Sequence, residues 1–300
     1  MSRRTEIIAA RDTDLFEAMR PRMLGIGYRI LGTLSEAEDA AQDTFIKWAG
    51  ADRGAIANPQ AWLITVYTRR RLDLRRAGHA ARVEYVGTWL PEPIQVAAKE
   101  TGQKVQLAST LSTAFLLVLE RLTPRERAAY LLHEIFELPY ADLADTLALT
   151  EPNCRKLVSR ARSRIAEGPP SSSPPPAEQE RLLAAFRAAV TTGEVTPLVR
   201  LLAADVRLKA DGGGKVPAIR ETLQGIPAVT AFLADPLRAY WDGHRWVGVD
   251  LNAGRALLIR KGSATAAAVT FAYDTTGKIA SIFIVRNPDK LSNLGAVSLH

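Results

Sequence analysis

In Thr123-Pro124-Arg125-Glu126 a capping hydroxyl, a first-turn proline and a reciprocal glutamate stand in the order that opens an α-helix. That helix is expected to reach about Glu134, where Phe136-Glu137-Leu138-Pro139 breaks it. Tyr140 to Leu147 then forms a short helix, and Ala148-Leu149-Thr150 makes the turn. Glu151-Pro152-Asn153-Cys154-Arg155-Lys156-Leu157-Val158-Ser159-Arg160-Ala161-Arg162 begins a further helix running to Ile165. The spacing is that of a helix-turn-helix. Leu157, Val158, Ala161 and Ile165 make the apolar stripe of the last helix, so Asn153, Arg155, Lys156, Ser159, Arg160 and Arg162 project outward. A basic, outward helix behind a tight turn fits the major groove, where arginine reads guanine with a bidentate fork worth about 1–3 kcal/mol of discrimination. This outweighs the plainer reading of a small helical bundle with a charged exterior. Cys154 is expected to be an incidental small residue rather than an oxidation sensor.

Working outward, the 300-residue chain is 47% hydrophobic and 24% charged, a globular composition too long for one core. No apolar run approaches the ~20 residues that span a bilayer, and Met1-Ser2-Arg3-Arg4-Thr5-Glu6 leads into no long apolar segment; a cytoplasmic chain is expected. A single cysteine excludes an internal disulfide framework, and His79, His133, His244 and His300 have no ligand spacing, so neither metal nor cofactor is called for. The net charge of +7 locates nothing, but two clusters stand out. Arg155 to Arg164 is one. The other is Arg69, Arg70, Arg71, Arg75, Arg76 and Arg82, opposed only by Asp73.

The segment 167–177 carries five prolines and three serines and reads as a spacer of up to roughly 30 Å in polyproline geometry. A softer boundary lies over 81–105, around Trp89-Leu90-Pro91-Glu92-Pro93. Three bodies follow: 10–80, 106–166 and 178–300. The first is helical: Leu15, Met19, Met23 and Ile26 recur at helical spacing, Ser35 with Glu38 makes a capping box for a helix to about Trp48, and Asn58-Pro59 opens a third. That third helix ends in the first arginine cluster. Its Trp62 and Tyr67 could support unstacked bases, although a core role is the stronger reading. The last body is α+β, with helices at Arg181 to Val190 and Pro227 to Leu233. Its strands are expected at Arg255 to Ile259, Ala266 to Tyr273 and Lys278 to Arg286, in a mainly antiparallel sheet.

With these residues in place, the chain resembles an extracytoplasmic-function sigma factor of the sigma-70 family. Ser35 to Phe45 resembles sigma region 2.2, which implies that Glu38, Asp39, Gln42 and Asp43 meet the clamp helices of the polymerase β′ subunit. Asn58-Pro59-Gln60-Ala61-Trp62-Leu63 through Asp73-Leu74-Arg75-Arg76 resembles regions 2.3 and 2.4, implying −10 melting and reading by Arg69, Arg70, Arg71, Arg75 and Arg76. Arg69 stands where many members carry asparagine. Leu122 to Arg162 resembles region 4, which reads the −35 element and contacts the β flap.

The resemblance narrows to sigma factors with a fused SnoaL-like domain, an α+β cone. It rests on Trp89, Leu90, Pro91, Glu92 and Pro93, on Asp211, Gly212, Gly213, Gly214 and Lys215, and on Asn287, Pro288, Asp289, Lys290 and Leu291. It implies that the fused domain regulates the sigma regions and that no separate anti-sigma factor is required. The expected function is therefore a non-enzymatic initiation factor binding core RNA polymerase and promoter DNA, without a membrane. Two alternatives stand beside it. One is a SnoaL-like enzyme using Asp211, Tyr240, His244 or Asp250, or a ligand-binding module, fused to a helix-turn-helix regulator. The other is a helix-turn-helix regulator acting without polymerase. Asp211 to Lys215 lacks the phosphate-cradle pattern and is expected to be a contact turn, and Gly25-Ile26-Gly27 follows no strand, which dismisses a dinucleotide site.

Overall fold

A computed structural model describes the backbone over 3–70, 85–95, 110–167 and 174–294. It divides into two compact units: Met1–Ala81 with Leu119–Glu167, and Arg82–Val118 with Gly168–His300. The sequence led us to expect three bodies; here both helical bodies share one unit, while the stretch between them belongs to the other.

The first unit holds α1 (Arg3–Leu31), α2 (Leu34–Ala49) and α3 over 59–70. Met19, Met23 and Ile26 are buried at the expected spacing. The cap of α2 lies two residues earlier than Ser35: Thr33 is the N-cap, and its hydroxyl bonds the Glu36 carboxylate. Asn58 caps α3 as expected, accepting from the Ala61 N–H at 3.1 Å. Tyr67 is buried, donates to the Ala37 carbonyl at 3.1 Å, and belongs to the core rather than to a base-stacking platform. Trp62 is half-buried and packs on Trp48, with ring centroids 5.5 Å apart.

In the same unit α5 (Pro124–Tyr130) carries the full capping box: the Glu126 N–H bonds the Thr123 hydroxyl at 3.3 Å, and the Thr123 N–H bonds the Glu126 carboxylate at 3.0 Å. A π-turn, Leu131–Ile135, and a left-handed Glu137 end the rod. Then come α6 (Tyr140–Leu147), a left-handed Ala148 and α7 (Glu151–Ala166). Cys154, Val158 and Ala161 are the buried positions of α7, and Leu157 and Ile165 are half-buried. Cys154 is thus part of the packing stripe, and burial pushes its thiol pKa up.

The second unit is built on a six-stranded sheet, ordered β2-β1-β6-β5-β4-β3, from β1 (Leu202–Asp211), β2 (Leu223–Gln224), β3 (Arg245–Leu251), β4 (Gly254–Lys261), β5 (Ala264–Tyr273) and β6 (Ile279–Val285). All neighbours are antiparallel except β1 and β6. Side chains alternate between two buried faces. Leu257, Ile259, Val269, Ile282 and Ile284 pack against α8 (Pro176–Thr192) and α10 (Ile226–Phe232), with the four-residue α9 (Thr196–Val199) between these helices in the chain. Leu258, Ala268, Phe283 and Val285 face the other way, onto Leu90, Leu291 and Leu294, with Ala114 and Leu117 of α4 (Thr113–Leu119) beside them. The Thr113 and Thr270 hydroxyls bond at 3.0 Å. Covering this second face is what draws the segment between the helical bodies into the sheet's unit.

The proline-rich spacer is shorter than 167–177. Pro174 is buried, its carbonyl accepts from Gln179 Nε2 at 2.7 Å, and Pro176 already opens α8. Residues 168–173 lie outside the described residues.

Candidate functional site

Three surfaces carry the chemistry. On α7, Asn153, Arg155, Lys156, Ser159, Arg160 and Arg162 are all exposed, as the apolar stripe requires. Two of them are held: Arg155 pairs with Glu151 at 2.8 Å and lies over the Tyr140 ring, and Arg162 pairs with Glu134 at 2.6 Å, a bond that raises its pKa further. Lys156 and Arg160 have no ion pair or hydrogen bond among the described residues. They are the side chains of this face with the most freedom to meet phosphate or base edges.

On α2, Glu38, Asp39 and Gln42 are exposed and Asp43 is half-buried. Sequence reasoning missed the apolar members of this surface. Phe45 is 36% exposed and Ile46 64% exposed, beside the acids. Their signal was available: both fall off the stripe of Ala37, Ala40, Ala41, Thr44 and Trp48 that faces the core. Asp43 bonds Arg70 at 3.1 Å, which ties the acidic surface to the last described turn of α3. Arg71, Arg75 and Arg76 lie outside the described residues.

Arg69, one of the expected DNA contacts, is exposed and bonded within the protein. Its Nε donates to the Thr146 carbonyl at 3.0 Å and its Nη2 to the Asp145 carbonyl at 2.6 Å, where a cation suits the C-terminal end of α6. The Thr65 and Thr146 hydroxyls bond at 3.0 Å, Arg22 donates to the Phe136 carbonyl at 2.8 Å, and buried Arg127 donates to the Ile30 carbonyl at 2.7 Å. Arg29 lies over the Phe136 ring, and burial lowers its pKa to about 10, which leaves it charged at neutral pH. These bonds form a seam between α1 and α3 on one side and the helix-turn-helix on the other.

The third surface is a clasp around Asp211, in the second unit. Asp211 is fully buried at the end of β1. Its Oδ1 accepts from the Tyr85 hydroxyl at 2.5 Å and the Gly213 N–H at 2.9 Å; its Oδ2 accepts from the Leu90 N–H at 2.9 Å and from Lys290 Nζ at 2.7 Å. Lys290, 6% exposed, also donates to the Leu90 carbonyl at 2.6 Å and lies over the Trp89 ring. Both main-chain groups of Leu90 are therefore held by side chains of the other two motifs. Asn287 donates to the Tyr85 hydroxyl at 3.0 Å, and Asn293 to Glu92 at 2.9 Å. Burial, with the bond to Asp211 next, pushes the Tyr85 pKa above its ordinary range.

Gly213 and Gly214 have φ of 62° and 70°, and the Asn287 side chain fills the space a Gly213 Cβ would need, so this turn requires glycine. Lys215 pairs with Asp289 at 2.5 Å. Of the fifteen residues assigned to the three motifs, the clasp thus joins members of each, with Pro91, Pro93 and Leu291 buried and Gly212 at the turn. Pro288 is exposed and makes the first turn of the short helix Pro288–Leu291.

The acid/base candidates do not converge. Asp211 is consumed by the clasp, Tyr240 accepts from Arg286, His244 sits on the Asp242 carbonyl, and Asp250 pairs with Arg255 at 2.8 Å. Among the described residues no group of three or more His, Cys, Asp or Glu is placed to hold a metal, and no helix is long and apolar enough to cross a membrane.

Family models for sigma-70 region 2 and sigma-70 region 4 match residues 15–80 and 112–165. The chain is 33% identical over 288 residues to the ECF RNA polymerase sigma factor SigJ of Mycobacterium tuberculosis, covering 92% of each chain. It is 30% identical over 189 residues to the probable ECF RNA polymerase sigma factor SigI of the same species, covering 62% of this chain and 65% of that one. The crystal structure of M. tuberculosis SigJ superposes with a TM-score of 0.71 at 27% identity, over 93% of this chain and 97% of that one. With sigma-70 regions 2 and 4 in order and likeness to SigJ over almost the full length, the chain belongs to the extracytoplasmic-function family of RNA polymerase sigma factors.

Proposed function

We propose that this chain directs core RNA polymerase to promoters through two helical readers and that its own C-terminal domain controls their reach. The exposed face of α7, Asn153, Arg155, Lys156, Ser159, Arg160 and Arg162, enters the −35 major groove. Arg70, with Arg71, Arg75 and Arg76, which lie outside the described residues, serves the −10 element. Glu38, Asp39, Gln42 and Asp43, with the apolar Phe45 and Ile46 beside them, dock on the β′ clamp, an acid-rimmed apolar patch suited to a protein partner. The helix-turn-helix also meets the β flap. No chemistry is catalysed, and the partners place the chain in the cytoplasm.

The observation that carries the regulatory part is the capture of Leu90 by Asp211 and Lys290. Elements named for positions −35 and −10 are ~25 base pairs apart, roughly 85 Å at about 3.4 Å per pair. The stretch 82–118, fully extended at ~3.3 Å per residue, reaches roughly 120 Å and bridges that distance easily. Clasped to the sheet it cannot use that length, and Arg69 holds the −35 reader against α3. A protein that carries this restraint within its own chain needs no separate anti-sigma factor. Runoff transcription with core enzyme tests the proposal. A specific transcript that weakens with Arg160→Ala and changes in yield with Asp211→Ala is expected. Absence of any specific transcript from every genomic promoter, with the full chain and with one ending near residue 170, overturns promoter recognition; equal yield from Asp211→Ala and the unaltered chain overturns the control.

A further inference from the structure

Between the segment 217–219, which follows the Asp211–Lys215 turn, and α10, on the face of the sheet that α10 covers, lies a cavity of about 230 Å³. Its walls are apolar: Ile219, Phe232, Leu237 and Ile284, with Pro217 and Ala218 at the turn side. Two polar side chains enter it, Tyr240 and Arg286. The Arg286 guanidinium stacks on the Tyr240 ring at 4.2 Å, and it donates to the Tyr240 hydroxyl and to the Pro217 carbonyl. Its Nε is buried and bonded to nothing among the described residues, and it has no carboxylate partner there either. A half-buried guanidinium at the edge of an apolar cavity, with a buried, unused Nε–H and no carboxylate partner among the described residues, is suited to receive an anion, since the planar fork matches a carboxylate. The volume lies below the usual ~300–1,000 Å³ of ligand cavities and limits the occupant to a molecule of about ten heavy atoms.

We propose that this cavity binds a small aryl carboxylate, its ring between Phe232, Leu237 and Ile284 and its carboxylate on Arg286, and that binding loosens the clasp. The route is short. Pro217, whose carbonyl Arg286 holds, lies in the segment 215–220 that follows the Asp211–Lys215 turn. The other side of that segment, with Gly212 and Gly214, borders a second cavity lined by Val86 and Gly87, and the Arg220 carbonyl accepts from the Thr88 hydroxyl at 3.4 Å. Arg286 itself precedes Asn287, which holds Tyr85. A carboxylate that takes over the guanidinium frees the Pro217 carbonyl and shifts both supports of residues 85–90.

The binding stands on the cavity alone; its effect on promoter output rests on the function proposed above. Titration of the full chain with phenylacetate, 4-hydroxybenzoate and the uncharged phenylacetamide, followed by calorimetry, separates the two. Saturable binding of at least one acid is expected, at least tenfold tighter than the amide, with tenfold or greater loss in Arg286→Gln. Ile219→Trp, which fills the cavity from a half-exposed wall, is expected to abolish binding while leaving the circular dichroism of the chain unchanged. No saturable binding of either acid below about 10 mM, or equal binding of acid and amide, or undiminished binding by Arg286→Gln, overturns the site. With the acid bound, amide exchange over 88–94 is expected to quicken severalfold; unchanged exchange at saturation overturns the coupling and leaves promoter recognition untouched.

Discussion

The Asp211 clasp and the outer edge of the seam both fasten one part of the chain to another, but they treat charge in opposite ways. In the clasp a carboxylate and an ammonium are withdrawn from water together, and each finds partners: four donors for Asp211, the carboxylate and a carbonyl for Lys290. At the seam edge Arg69 and Arg22 are exposed guanidiniums resting on neutral carbonyls. A guanidinium that exchanges a carbonyl for water loses little, whereas a buried ion pair that loses one member leaves an uncompensated charge. The clasp is therefore the persistent fastening and the seam edge the one that yields.

The sharpest break of that contrast is Asp211→Asn. It strands the Lys290 charge in a buried site, and breaking a buried pair costs about 3–5 kcal/mol. Urea unfolding of the full chain, read through amide exchange in β5 and β6, is expected to show a loss of that order. Adding Lys290→Met is expected to restore a large part of it; a double variant as weak as the sum of the singles would remove the pair from the account. On α7, Arg160→Ala is expected to cost about 1–3 kcal/mol of promoter affinity in the holoenzyme, with no change in stability, measured by competition for promoter fragments.

Tyr85 sharpens the clasp by pH. Burial raises its folded pKa above the usual value of about 10, so its contribution is whole below that pH and is lost as the pH rises through 10 and beyond. Tyr85→Phe is expected to lose stability at neutral pH and to show a shallower alkaline decline than the unaltered chain between about pH 9.5 and 11, in matched urea titrations. Equal slopes would show that the hydroxyl does not titrate within the clasp. The smallest effect belongs to the seam: Arg69→Ala is expected to cost at most about 1 kcal/mol. It should show as a rise in the open fraction, in dye-pair distances between α1 and α7 of the full chain, with the urea midpoint unmoved.

The helical unit was largely legible because its signals are local. Thr123 and Glu126, Asn58 and Pro59, and the stripe through Val158 and Ala161 each act within one or two turns. The Ser35 cap was misplaced by two residues because Thr33 and Glu36 offer the same chemistry at the same spacing. In the sheet, β4, β5 and β6 were recognisable from apolar runs, as expected of strands buried on both faces. β1 was missed although Val206, Leu208 and Ala210 alternate with Arg207 and Lys209, since the charges masked a buried strand. The proline-rich stretch misled because composition cannot tell a free proline from Pro174, which is packed.

What the amino-acid order determined by itself is the capped helices at Asn58 and Thr123 and the outward face of α7, which depend on neighbours a few residues apart, while the three short motifs were singled out by resemblance alone. Only the tertiary structure decided the rest. It joined Asp211 to Leu90 and Lys290 across more than a hundred residues on one side and 79 on the other, and bonded Arg69 to the end of α6. It also left Arg286 without an acid among the described residues. Such pairings follow from which faces are buried against each other, and burial sets both the cost of a lone charge and the strength of a bonded one, neither of which a linear spacing contains.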